Sequence, residues 1–232
     1  MELIARNNVI AVICLSAMSW MGAAGQECVG PGPYHGWWSH QSVLLCRDSP
    51  EGQLVWKDRH MLIRSPRDPN LAIRIEGAEI RVESSSTSLE STEPVRVLWP
   101  AELSWSPSGI RFQITQGTAT TTGFTTSVFR VDKNAKKLYR EPDFNAALRT
   151  DFENKYRCED NAPNVYGIKW TSDNEILVIV QNPDRGDCRF RAMGLGYLID
   201  VGKGSILHGF AASEVRKRWG PLLGSELNQS LR

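Results

Sequence analysis

Three times along this chain a polar turn leads straight into a run of strand-forming residues, and that repetition limits the fold more than any other feature. The first copy is Arg64-Ser65-Pro66 followed by Leu71-Ala72-Ile73-Arg74-Ile75. The second is Trp105-Ser106-Pro107-Ser108-Gly109 followed by Ile110-Arg111-Phe112-Gln113-Ile114. The third is Trp170-Thr171-Ser172-Asp173-Asn174 followed by Ile176-Leu177-Val178-Ile179-Val180. The first two strands alternate apolar and polar residues, the pattern of a half-buried strand. The third is apolar throughout, which suits a strand covered on both faces.

Each copy has a second marker behind it. Ile80-Arg81-Val82-Glu83 follows the first. Val128-Phe129-Arg130-Val131-Asp132, a Lys/Asn-containing turn and Lys137-Leu138-Tyr139 follow the second. Tyr197-Leu198-Ile199-Asp200, a Gly-rich turn and Ser205-Ile206-Leu207 follow the third. The last two predict hairpins whose first strand ends in an aspartate. From Arg64 to Trp105 is 41 residues and from Trp105 to Trp170 is 65, a surplus of 24. Phe144, Leu148, Phe152 and Tyr156 recur every fourth residue between Pro142 and Arg157, which predicts a helix inserted at about 142–157. A second short helix is expected from Ser213 to Trp219, ending at Gly220-Pro221.

These residues resemble the blades of β-propellers of the Tol-system and WD-repeat type. Trp105-Ser106-Pro107-Ser108-Gly109 is similar to that family's W-S-P-D-G turn, Trp170-Thr171-Ser172-Asp173-Asn174 is a looser copy, and Arg64-Ser65-Pro66 lacks the Trp and the Gly. The resemblance covers Arg64 to Leu207, and a blade length of about 40 residues matches the first spacing. It implies an all-β fold with minor helices: antiparallel, propeller-like sheet repeats, three to four blades in number, with one inserted helix and a short C-terminal helix. Residues Tyr34 to Trp56 are the candidate for part of a fourth blade. Propellers close with four or more blades. The expectation is therefore an incomplete ring, an open stack or sandwich, or two chains that complete each other. An unclosed blade leaves a sheet edge for a helix, a loop or a partner to cover.

The N-terminus reads as a signal for export. Met1 to Asn8 carry one Arg and one Glu, an apolar run spans Val9 to Met21, and Gly22-Ala23-Ala24-Gly25 follows. That is the order of a secretory signal peptide over residues 1–25, and the apolar run is shorter than a bilayer span. An uncleaved anchor is the alternative, since Glu2 offsets Arg6. Glu27 before Cys28 argues against a lipoprotein site. Residues 26–232 are then one β domain, periplasmic or extracellular. Cys14 would be lost with the leader, leaving Cys28, Cys46, Cys158 and Cys188. An even count in an oxidising compartment points to two structural disulfides. Of three connectivities, Cys28–Cys46 with Cys158–Cys188 closes loops of moderate length. No C-x-x-C and no His at ligand spacing from a Cys pair supports zinc instead.

Charge and motifs narrow the function. The net charge is +1, with no basic run, which points away from nucleic acid and from a polybasic membrane contact. There is no G-x-S-x-G, no H-E-x-x-H and no Gly-rich phosphate loop. No cofactor and no metal is expected. His35 and His40 flank Gly36-Trp37-Trp38-Ser39, a spacing without a helical ligand pair and without a nearby carboxylate. Tyr34, Trp37 and Trp38 are candidates for a ring-stacking ligand surface, against a structural aromatic cluster. Arg185-Gly186-Asp187 sits in a turn beside Cys188 and reads as that turn. Ser84 to Thr92 is expected to be a mobile loop, and Thr115 to Ser127 a hairpin tip or an exposed strand pair.

The expected function is an exported, non-catalytic binding or scaffold module, with a protein partner or self-association through an uncovered sheet edge and no stable membrane insertion after cleavage. A secreted, glycan-acting hydrolase and a carbohydrate-binding module with an aromatic surface are the alternatives, because fold alone excludes neither.

Overall fold

The computed structural model describes residues 37–45, 60–76, 78–85, 87–98, 100–117, 123–156, 162–183 and 193–231. In chain order the strands are β1 (Val43–Leu45), β2 (His60–Arg64), β3 (Leu71–Glu76), β4 (Glu79–Ser84), β5 (Thr87–Ser88), β6 (Glu90–Ser91), β7 (Val95–Arg96), β8 (Ala101–Trp105), β9 (Arg111–Gly117), β10 (Phe124–Asp132) and β11 (Lys137–Arg140). Helix α1 (Asn145–Tyr156) separates them from β12 (Asn164–Trp170), β13 (Glu175–Gln181), β14 (Gly194–Asp200) and β15 (Ser205–Ala211). Helix α2 (Ala212–Trp219), a 3-10 turn (Gly220–Leu222) and α3 (Ser225–Ser230) end the chain's described part. No helix among the described residues is long and apolar enough to cross a membrane.

The strands form three antiparallel sheets, so the chain is mainly β with a few short helices. The first sheet runs β2-β3-β4-β5, with β7 also on β4. The middle sheet runs β1-β8-β9-β10-β11-β6, and its only parallel pairing is β11 with β6. The third runs β12-β13-β14-β15. The described residues form no closed ring of blades. Within Tyr34 to Trp56, expected as part of a fourth blade, β1 (Val43–Leu45) pairs instead along β8 as an edge strand of the middle sheet, with Val43 opposite Leu103; residues 34–36 and 46–56 lie outside the described residues. The apolar side chains of Val43 and Leu45 bury in the core beside Leu103, which draws the segment there.

The three copies of the turn-and-strand motif share their hydrogen bonds. Ser65 N–H donates to Leu71 O, Ser106 N–H to Arg111 O, and Thr171 N–H to Glu175 O. Just before each following strand, Asn70 O, Ile110 O and Asn174 O accept from Ser85, Val131 and Val201. Both expected hairpins form, with Asp132 opposite Lys137 and Asp200 opposite Ser205. The strand-ending aspartates do the same work: Asp132 accepts from Ala135 N–H and Asp200 from Lys203 N–H. Four residues past each aspartate the backbone turns left-handed, at Lys136 (φ 52) and Gly204 (φ 65).

The core has three parts. Between the first and middle sheets, Ile73, Ile75, Leu103, Phe112 and Ile114 pack together, with Phe112 stacked on Phe129 at 5.2 Å. On one face of the third sheet, Val178, Val180 and Tyr197 meet Phe144, Leu148 and Phe152 of the helical segment. On its other face, Leu177 and Ile179 meet Trp38, Val215, Leu223 and Leu227. Both faces of β13 are covered, which is why Ile176 to Val180 is apolar without a break. Helix α1 lies inside the expected 142–157, with Phe144, Leu148 and Phe152 buried against the sheet and Tyr156 partly so. Gly194 and Gly196 leave room for the C-terminal segment: a Cβ at either would stand 2.4 Å from Leu231 Cδ2 or 2.5 Å from Val215 Cγ2.

One loop expectation is corrected and a second in part. Ser84 to Thr92 contains β5 and β6 rather than only a loop, because Leu89 buries and its N–H donates to Val82 O. Of the Thr115–Ser127 stretch, residues 118–122 lie outside the described residues. Its flanks, β9 and β10, pair antiparallel as a hairpin, but the described strands are not exposed, and Thr115 and Thr126 are buried.

Candidate functional site

The alternation of β9 has an unexpected outcome. Its polar positions, Gln113 and Thr115, are each 1% exposed and face the third sheet. Burying such groups is costly unless they are hydrogen-bonded. Gln113 donates to Ser104 Oγ on β8 at 2.8 Å, while Thr115, with Thr126 of β10, satisfies the outer edge of β12. Val165 and Gly167 leave backbone groups on the side away from β13. Gly167 N–H donates to Thr115 Oγ1 at 3.0 Å, Thr115 and Thr126 hydroxyls meet at 2.8 Å, and Thr126 Oγ1 donates to Val165 O at 2.9 Å. Asn145 clamps Thr126 by accepting its N–H and donating to its carbonyl. Gly167 is required here, since a Cβ would fall 1.7 Å from Gln113 Oε1. Thus one exposed edge foreseen by repeat counting is covered by the neighbouring sheet's side chains.

The same seam holds the N-terminal segment. Glu102, on β8 and 1% exposed, accepts from Trp38 N–H at 2.8 Å and Ser39 N–H at 3.1 Å. Ser39 Oγ donates to Ile168 O at 2.5 Å. Burial pushes the Glu102 carboxyl up to about 8, against the opposing pull of those backbone donors.

At one end of the strands the three repeat turns stack on one another. Ser65 Oγ donates to Gly109 O at 3.4 Å, and Arg67 Nε to Pro107 O at 3.3 Å. Gly109 has φ +73, and a Cβ there would stand 1.9 Å from Ser65 Oγ, so the glycine of the W-S-P-S-G turn serves both the left-handed backbone and the close approach. Ser108 N–H donates to Asp173 Oδ1 at 2.8 Å, and Arg111 donates to Asp173 O at 3.2 Å and to Glu141 at 2.8 Å. Burial would raise the Asp173 carboxyl, but the Ser108 and Ser106 hydrogen bonds and the Arg111 charge hold it below the usual range.

These turns line a concavity of about 410 Å³. Pro66 and Arg67 come from the first repeat, Ser104 to Pro107 from the second, and Lys169 and Trp170 from the third, with Gln41 beside them. Trp105 and Trp170 end β8 and β12 at matching places in their repeats. Trp170 is 7% exposed and its indole donates to Ser104 O at 3.3 Å, while Trp105 is only partly buried. Among the described lining residues there are two cations and no carboxylate.

Of the ring-stacking candidates, the described Trp37 and Trp38 do not line this concavity. Trp38 is 4% exposed, with Phe124 at 4.6 Å and Tyr166 at 5.2 Å, and serves the core. Trp37 is partly buried against the same cluster. Tyr34, His35, Cys28, Cys46, Cys158, Cys188 and Arg185-Gly186-Asp187 lie outside the described residues. His40 Nδ1 meets Pro221 O at 3.2 Å, and His208 is exposed beside Phe210. Among the described residues no group of three or more His, Cys, Asp and Glu is placed to hold a metal. Arg67 and Lys169 were missed by sequence reading, although each sits next to a repeat motif. The signal for them was positional: the turns were read as fold markers, not as one surface.

Comparison with protein-family models, curated proteins and solved structures finds no match to the chain.

Proposed function

We propose that this protein is an exported, non-catalytic binding module whose three sheets are propeller-type repeats and whose partner docks at the stacked turns. The observation that carries this reading is the convergence of all three repeats on one concavity, with Arg67, Trp105, Lys169 and Trp170 in its wall. Loops and turns at one end of a repeat fold are a frequent place for recognition, because a rigid scaffold fixes side chains there at little further entropic cost. The equivalent hydrogen bonds in the three turns support the repeat reading. The leader-like N-terminus and the four remaining cysteines support export to a periplasmic or extracellular compartment with two disulfides.

The outer edge of β15 is a second place for self-association. No strand among the described residues pairs with it there, and Leu207 is 48% exposed on it.

The test is cross-linking in the native host, followed by affinity capture and mass spectrometry, with wild type and Lys169→Ala side by side. A discrete partner recovered with wild type and lost with the variant is the expected result. Equal recovery from both, or a glycan-hydrolysing activity that disappears when a carboxylate is removed, contradicts the reading.

A further inference from the structure

Building on the docking reading above, we infer that the concavity between the turns takes an acidic peptide segment of a protein partner, its carboxylates on Arg67 and Lys169 and its apolar side chains against Trp105. Three features of the wall lead there. The first is charge. Arg67 is exposed, and one of its guanidinium donors is spent on Pro107 O. That bond fixes the arm while the remaining nitrogens keep their donors, and a guanidinium suits a carboxylate in a bidentate fork. Lys169 is partly exposed and has no ion-pair partner among the described residues. No carboxylate in the described lining competes for either cation.

The second feature is size. A volume of about 410 Å³ is too small for a folded domain to enter and sufficient for a few side chains of an extended segment. The third is the state of the rings. Trp170 is nearly covered and its indole N–H is already bonded to Ser104 O, so it offers no open face for a sugar to stack on. Hydroxyl recognition also needs several acidic or amide side chains, and the described lining supplies only Gln41. Trp105, partly exposed, with the exposed Pro66 and Pro107 beside it, gives an apolar wall for a side chain such as Leu or Tyr.

Selection of a displayed random hexapeptide library on the full chain tests this. Binding of the recovered peptides is then measured by fluorescence anisotropy on wild type, Arg67→Glu/Lys169→Glu, and the surface control Lys203→Glu. The two reversed charges sit on solvent-facing side chains, and the thermal melt of the double variant verifies that it folds. Enrichment of Asp and Glu is expected, with affinity lowered at least roughly tenfold in the double variant, unchanged in the control, and weakened by added salt. Enrichment of neutral or basic peptides that still lose binding in Pro107→Arg would overturn the acidic partner and leave docking at the turns intact. Binding of an oligogalacturonate in place of any peptide would overturn the peptide and assign the cations to a glycan. No enrichment at all, together with unchanged partner recovery in Lys169→Ala, would overturn both readings.

Discussion

The backbone N–H of Ser108 donates to the Asp173 carboxylate across 2.8 Å, so the turn of the second repeat is tied to the turn of the third. The same turn meets the first repeat on its other side, where Ser65 and Arg67 donate to the carbonyls of Gly109 and Pro107. Residues of the concavity carried by three separate sheets are thereby held in one register.

Asp173→Ala removes the acceptor of Ser108 N–H and leaves Arg111 with less opposing charge. A loss of about 1–2 kcal/mol in urea unfolding is expected, with most of it recovered in Asp173→Asn, whose carbonyl oxygen still accepts. Equal losses in the two variants would mean that the hydrogen bond is not what Asp173 supplies.

Glu102 makes stability depend on pH. Its folded value of about 8 lies above its unfolded value of about 4.5, so the fold favours the neutral acid. The stabilisation is complete below about pH 4.5 and is lost as pH rises through about 8, at up to about 1.4 kcal/mol per pH unit. Urea midpoints measured from about pH 5 to about pH 8 should fall in wild type and stay flat in Glu102→Gln. The variant should also be less stable at the acidic end, because its amide nitrogen faces a backbone donor. A variant that keeps the wild-type slope would remove Glu102 as its source.

Gly167→Ala forces a methyl group into Gln113 Oε1. A loss of about 1–3 kcal/mol is expected from this overpacking. In the double variant with Gln113→Ala the clash disappears, so the two effects should add to less than their sum, as a double-mutant cycle reads directly. Simple additivity would place the clash elsewhere.

Export and oxidation are checked on the protein recovered from the medium or periplasm. Its N-terminal sequence should begin near residue 25 or 26. Intact mass after alkylation without reductant should show no labelled thiol, and two disulfides' worth of label after reduction. A retained leader or freely labelled cysteines would refute the compartment.

Much of the architecture was written in local patterns. The stripe of Phe144, Leu148, Phe152 and Tyr156 marks α1 because period four on one face needs only neighbours in sequence. Asp132 and Asp200 mark their hairpins because the aspartate bonds its own turn. The unbroken run from Ile176 to Val180 announces a strand covered on both sides. What could not be read was where a polar face goes. Gln113 and Thr115 look solvent-facing by alternation, yet both are buried and Thr115 bonds the edge of β12, a fact that depends on a strand some fifty residues away. The same holds for Glu102, which looks like a surface acid until Trp38 and Ser39 fold over it. The need for glycine at 194 and 196 is not visible locally; the packing of Leu231 and Val215 explains it. The site itself was half legible. The three repeat turns are legible in the sequence, but that they share one cavity wall follows from how the sheets stack.

Self-association through β15 has its own readout. Sedimentation velocity should show concentration-dependent assembly in wild type that is reduced in Leu207→Lys, because a charged side chain on an open edge disfavours strand pairing. A monomer at every concentration would leave the turns as the docking surface and remove the edge.

The most direct measurement places a photo-reactive phenylalanine analogue at Pro107, in the wall of the concavity, and at Met193, an exposed position at the opposite end of the strands. Irradiation in the native host should give a discrete adduct with a partner at position 107 and none at 193. Adducts at 193 alone, or none at either position, would contradict docking at the stacked turns.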